Sequence, residues 1–298
     1  MFIGKEADKR RRDRSVPETV NIVTVELVDD LVVRVNQRQV FDGPPVVSDG
    51  PNGEVLAGSS AQEPVRRALT AGIITNSRAL EQLLRHIAKP FLDELDARPT
   101  PEGGREATVV LVVLTEEVYR IDRSMVKELV KKVWGADVRV VTEPECKLVA
   151  MGLGEPIWGP TGCLVSVLNT TYASSAVISS GEVIVQGSAP LTGPATGSSE
   201  PLPPTSEDKL RVLTSTLERV VADAGPGFAQ TITDNGVVVA VNDKELAIPD
   251  RLASDGSGSP IRARVGMYST KQALIRGILA YETRKEDLFV KGYIRSSK

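Results

Sequence analysis

Residues 108–114 read Thr-Val-Val-Leu-Val-Val-Leu, a continuous apolar run without polar alternation. A strand of that composition is covered on both faces, because an open face would place every second side chain in water. The segments after it set the layering. Arg123–Trp134 has the spacing of an amphipathic helix, with Val126 and Val130 one turn apart and Ile121 just ahead, and Val138–Thr142 returns to β-type composition. Strand, helix and strand at this spacing make a βαβ unit, so the chain is expected to build an α/β fold.

The rest of the chain divides by the same signals. Residues 1–17 form a basic tail, with Met1, Phe2 and Ile3 followed by Lys5, Lys9, Arg10, Arg11, Arg12 and Arg14. Strands are expected at Asn21–Leu27, Leu31–Val35, around Pro45–Ser48 and at Glu54–Leu56, with Asp49–Gly53 as a turn. Gln62–Leu69 and Ser77–Ala88 have helical spacing, and Asp93–Arg105 reads as a polar loop. Gln186–Ser206, rich in Gly, Pro, Ser and Thr, reads as a flexible loop. A helix (Glu207–Ala224), strands at Gly236–Val241 and Ile261–Val265 and a helix at Thr270–Tyr281 complete the order.

Composition removes several function classes. Lys+Arg 36 against Asp+Glu 39 gives a net charge of −3 and aromatics are 4%, so neither a global field nor a stacking surface favours nucleic acid. The single His86 falls on the Ser77–Ala88 helix pattern and rules out a multi-histidine metal site. Cys146 and Cys163 lie in apolar contexts and read as buried thiols rather than a disulfide. Trp134 and Trp158 read as packing residues.

Thr161–Ile184, TGCLVSVLNTTYASSAVISSGEVI, reads as strand (Cys163–Leu168), polar turn (Asn169–Ser174), second strand (Ser175–Ser179) and a Gly181 turn. This hairpin, the segment Leu31–Ala68, and the stretch Val109–Gly152 with its Glu143-Pro144 pair together resemble the bacterial actin MreB and its relatives. The C-terminal third, with Asp234–Val239 and the Thr270–Ala280 helix, continues the likeness, which covers about residues 20–282. The resemblance implies an actin-like (ribonuclease H-like) two-lobe fold. Lobe I would span 18–152 with 270–298 returning to it, and lobe II 153–269. Residues 186–206 would stand as a loop where the family has the outer subdomain of lobe II.

That family grips ATP and Mg²⁺ with three loops, and each is altered at the matching positions. The opening phosphate loop falls on Thr24, Val25, Glu26 and Leu27, replacing a metal-side carboxylate by Thr24 and a close-approach glycine by Glu26. In the hairpin the Asp position is Val167, and the glycine positions are Asn169, Thr170 and Thr171. The adenosine-side glycines fall on Val241, Asn242 and Asp243. Backbone wraps phosphate closely only where side chains are absent, and Mg²⁺ needs oxygen ligands. The implied protein is therefore a cytoplasmic MreB-like structural protein, a pseudo-ATPase with no cofactor. Asp122 is a weak catalytic candidate, equally read as a first-turn carboxylate complementing the helix dipole.

The alternatives are a noncanonical ATPase, with Asp122 placing water and Asp243 or Ser166 as replacement ligands, and an adaptor whose cleft takes a peptide or another small molecule. Expected partners are a second copy or an intact bacterial actin, envelope-synthesis proteins, and the inner face of the membrane through Met1–Arg14. Pro90, Phe91 and Leu92 are a second candidate membrane contact, as a loop after the Ser77–Ala88 helix.

Overall fold

The computed structural model describes residues 19–28, 30–70, 72–97, 106–135, 138–191, 203–242, 246–249, 251–254 and 260–283. The basic tail and Asp243 lie outside them. The chain opens with β1 (Thr19–Leu27), β2 (Leu31–Val35), β3 (Arg38–Gly43), β4 (Val46–Asp49) and β5 (Val55–Ala57). Short strands β6 (Arg66–Arg67), β7 (Leu69–Thr70) and β8 (Ile73–Ile74) precede helix α1 (Ser77–Ala97). Then come β9 (Glu106–Leu114), α2 (Glu116–Ile121), α3 (Arg123–Trp134), β10 (Arg139–Pro144) and α4 (Glu145–Leu153). The second half holds β11 (Cys163–Leu168), β12 (Tyr172–Ser179), β13 (Glu182–Pro190), α5 (Ser206–Ala224), α6 (Pro226–Asn235), β14 (Val237–Val241), β15 (Arg251–Ser254), β16 (Pro260–Val265) and α7 (Thr270–Thr283).

Two mixed sheets carry the molecule, one ordered β10-β9-β1-β2-β3 and the other β13-β12-β11-β14-β16-β15. The apolar run at 108–114 is the centre of the first, parallel to both β1 and β10 and buried on both faces. Val110, Val112 and Leu114 face a core shared with α1 and α3, while Leu111 and Val113 face a core that includes α4 and α7. In the second sheet Leu164 and Leu168 point toward α5, and Val165 and Val167 toward α4. The side-chain period of two thus puts α4 and α7 between the sheets.

Helices α4 and α7 meet at backbone distance. A Cβ on Gly152 would lie 1.8 Å from the Ala273 carbonyl oxygen, and one on Gly277 would lie 1.7 Å from that of Leu148. Glycine is required at both places because the obstacle is main chain, which cannot swing aside.

Three sequence expectations change. Gln62–Leu69 is not a helix: Pro64 removes a donor and disfavours the α region for Glu63, and Ala68 N instead donates to Pro45 O in strand fashion. Pro90, Phe91 and Leu92 do not form a loop, since α1 continues through Pro90 to Ala97, and Phe91 and Leu92 pack on the core beneath. Gln186–Pro190 is not loop but the end of β13, antiparallel to β12, so what remains before α5 is 191–205. His86 is exposed on α1, and Trp134 is packed, but Trp158 is 42% exposed and covers Gly181. Among the described residues no helix is long and apolar enough to cross a membrane.

Candidate functional site

Along β1 the pleat sends Val23, Val25 and Leu27 into one core and Thr24 and Glu26 to the opposite face, beneath α7. Thr24 Oγ1 donates to Glu282 Oε1 on α7 at 2.9 Å, and Glu26 is ion-paired with Arg34 of β2. All four side chains are buried. Glu26 therefore presents no open negative charge, since it is already neutralised inside the protein. Burial pushes the Glu282 carboxyl up, opposed by the Thr24 hydroxyl and Arg34, and burial lowers the Arg34 guanidinium, opposed by Asp42 and Glu282.

The β11–β12 hairpin is equally committed. Val167 is fully buried in the apolar core next to α4. Asn169 Nδ2 donates to both oxygens of Glu145, at 2.9 and 3.2 Å, and the Tyr172 hydroxyl donates to Glu145 Oε2 at 2.6 Å. The turn itself is short, with Asn169 N bonded to Tyr172 O at 2.9 Å and Thr170 and Thr171 exposed. Beside it, the loop after β14 contributes Asn242, whose Nδ2 lies 3.5 Å from Asn169 Oδ1 and whose Oδ1 accepts from Lys271 N at 3.1 Å. Two of the three segments matched to nucleotide loops thus come together, joined by side chains to each other and to the start of α7. Val241 is buried at the end of β14. Ser166 is inside the sheet, paired hydroxyl to hydroxyl with Ser175 at 2.7 Å, rather than at the turn.

Sequence reading missed the polar residues at the start of α4. Lys147, 1% exposed, donates to Glu143 Oε2 at 2.7 Å and lies 5.7 Å from the centre of the Tyr281 ring. The Tyr281 hydroxyl donates to the other Glu143 oxygen. Glu116, at the start of α2, accepts from Cys146 N at 2.7 Å, and its own carbonyl accepts from Gln186 Nε2 at 2.8 Å. Burial raises the Glu116 carboxyl. The available signal was the pair of charges, Glu145 and Lys147, set in the otherwise apolar ECKLVAMGL.

Asp122 sits half-buried at the junction of α2 and α3 without a side-chain capping bond. Next to it a groove of about 460 Å³ runs between this junction and β13, with Ile121 and Ile184 at its rim. Burial raises both thiols, Cys146 well above its usual value and Cys163 to about 12, and neither is in a disulfide. Among the described residues no cluster of His, Cys, Asp and Glu has the makings of a metal site.

Comparison with known proteins gives these arrangements a setting. The family model described as MreB/Mbl protein matches residues 50–199. The cell shape-determining protein Mbl of Bacillus subtilis (strain 168) is 27% identical over 165 residues, 52% of this chain and 46% of that protein. Its counterpart from Bacillus cereus is 26% identical over the same shares. The chain spans about half the length of these curated relatives. Among solved structures, Spiroplasma citri MreB5 bound to ADP superposes with a TM-score of 0.63 at 16% identity, covering 93% of this chain and 100% of that one. A MamK double helical filament superposes with a TM-score of 0.58 at 12% identity, covering 89% and 99%. These likenesses establish the actin-like fold.

Proposed function

Because this chain belongs to the MreB/Mbl protein family, we propose that it is a cytoskeletal, morphogenetic protein that neither binds nor hydrolyses ATP and works through protein–protein contacts. The observation that carries this reading is the use of the phosphate-gripping positions as internal structure: Asn169 is held by Glu145 and Asn242, Thr24 by Glu282, and Val167 is core. ATP and Mg²⁺ do not fit such a site. The turn that would wrap phosphate carries side chains, the acid facing it is Glu145, and neither Thr24 nor Val167 offers a carboxylate. Each charge-assisted hydrogen bond removed is worth about 1.5–3 kcal/mol, and phosphoryl transfer depends on positioning and electrostatics. Several such losses together eliminate useful affinity.

In this reading residues 18–152 with 270–298 act as one lobe and 153–269 as the other. The short 191–205 connection takes the place of an outer subdomain, so any filament would lack the contacts that element supplies. The matched solved structures include a filament, which favours self-association or co-assembly with an intact bacterial actin. The exposed Ile121 and Ile184 offer apolar surface for such contacts. The deciding experiment is calorimetric titration with Mg-ATP beside a phosphate-release assay. No heat and no release are expected, and micromolar binding overturns the proposal. Pelleting with and without an intact MreB tests assembly.

A further inference from the structure

β3 is the outermost strand of the first sheet, and nothing among the described residues pairs with its far side. An open strand edge invites a further strand unless something blunts it. From Arg38 to Gly43 every residue of β3 is exposed or half-buried. Phe41 packs on the first core and covers Gly58, whereas Val40 has no partner in the β2–β3 register and is 47% exposed. Helix α7 continues this apolar margin. Lys271 near its start donates to Asp42 Oδ2 on β3 at 3.3 Å, and Ile275, Leu279 and Thr283 follow at four-residue steps on that side. Ile275 is half-buried and Leu279 is 37% exposed. At the far end of α7, Glu282 is bonded to Thr24 at 2.9 Å and takes a side-chain hydrogen bond from Gln37, the residue before β3. The helix thus leads from the Asp42 end of β3 back to its beginning. Thr283 delivers the chain to a point from which a strand can run beside Arg38–Gly43 in the same direction.

The sequence after Thr283 suits that path. Residues 284–298 read RKEDLFVKGYIRSSK, in which Leu288, Phe289 and Val290 are apolar and the last two favour strands. Residues 284–286 suffice for a helix-to-strand connection, for which about two to six residues are usual. The order of charges matches as well. Along β3 come a cation, an apolar residue and an acid, namely Arg38, Val40 and Asp42. Along the tail come an acid, apolar residues and a cation, namely Asp287, Leu288–Val290 and Lys291. Run in parallel, the two segments place opposite charges together at both ends and Phe289 beside Val40. Run antiparallel, they would set Asp287 against Asp42 and Lys291 against Arg38, which like charges oppose.

We propose that residues 287–291 add to the outer edge of β3 as a parallel strand, covering Val40 and Leu279 and closing that side of the first sheet. The edge is then occupied from within one molecule and is not available to the sheet of a second copy. The addition needs no nucleotide and stands whether or not the chain assembles through other surfaces.

The test is amide hydrogen exchange of the full chain, read by mass spectrometry of overlapping peptides at a low and a high protein concentration. Amides of 287–291 are expected to exchange about tenfold or more slowly than those of 295–298, equally at both concentrations, as paired rather than frayed backbone does. Phe289→Asp should bring 287–291 to the rate of 295–298 while the protection of β9 stays as it was. Arg38→Asp should speed exchange at 287–291, and Arg38→Asp combined with Asp287→Arg should restore it. Equal rates for the two stretches in the wild-type chain overturn the proposal. So does protection that appears only at the high concentration, since the strand would then come from a second copy. A combined charge swap that restores nothing overturns it too, because the tail would then be held by something other than β3.

Discussion

Replacing Lys147 by Met tests whether the polar residues at the start of α4 hold the interior together. The side chain is 1% exposed, its ammonium lies 2.7 Å from Glu143 Oε2, and Glu143 is 5% exposed. At that separation and an effective dielectric of about 20, the Coulomb attraction is about 6 kcal/mol. Much of that is offset by desolvating both ions, but the offset does not vanish when only one is removed. Met fills similar volume, so cavity formation is minor. Glu143 keeps the Tyr281 hydroxyl and loses its bonded cation. Breaking a buried pair from one side costs about 3–5 kcal/mol. Adding Glu143→Gln removes the stranded charge while leaving an acceptor for Tyr281, so the double variant should be more stable than Lys147→Met alone. The measurement is a urea or thermal double-mutant cycle, with a coupling energy of about 2–3 kcal/mol expected, near the upper end for neighbouring groups. A Lys147→Met loss under about 1 kcal/mol, or strictly additive effects, refutes the reasoning, because the ammonium would then not be compensating a buried carboxylate.

Gly277→Ala should lower stability by about 3 kcal/mol or more in equilibrium unfolding, since the added methyl meets the Leu148 carbonyl at 1.7 Å and overpacking against main chain has no cheap relief. Glu282 has a carboxyl raised above its usual 4.5, chiefly by burial. A raised folded value favours the folded state most below the unfolded value and loses that contribution as pH rises through the folded one. The melting temperature of Glu282→Gln minus that of wild type should therefore grow between pH 4.5 and 7, and a flat difference contradicts it. Cys146 and Cys163, buried with raised thiols, should resist a disulfide reagent in the native protein for as long as it stays folded, and both should react promptly in denaturant.

Sequence patterning was most telling where one face or both are apolar. The run at 108–114, the strand Leu31–Val35, the strand Cys163–Leu168 and the long C-terminal helices appear within a residue or two of their expected limits. β3 escaped notice because its turn uses Asn36 and Gln37, at φ of 48° and 70°, with no glycine to mark it. Asn36 is held there by accepting from Ile22 N, a contact set by tertiary structure rather than local preference. β13 was hidden by Gly187, Ser188 and Pro190, residues an edge strand tolerates. At the candidate site the sequence showed which positions had lost their family chemistry. What had replaced it was not legible, because Thr24 to Glu282 and Asn169 to Glu145 join residues 258 and 24 positions apart.

The glycine contact between α4 and α7 also bears on motion. Where two helices touch through bare main chain, their backbones come close enough for the flanking side chains, Lys147 against Tyr281 and Leu148 beside Ala273 and Leu274, to close around the seam, so both turning and prying would strip contacts. The joint between the two sheets is consequently a stiff one, holding both their spacing and their angle through contacts made by the protein alone.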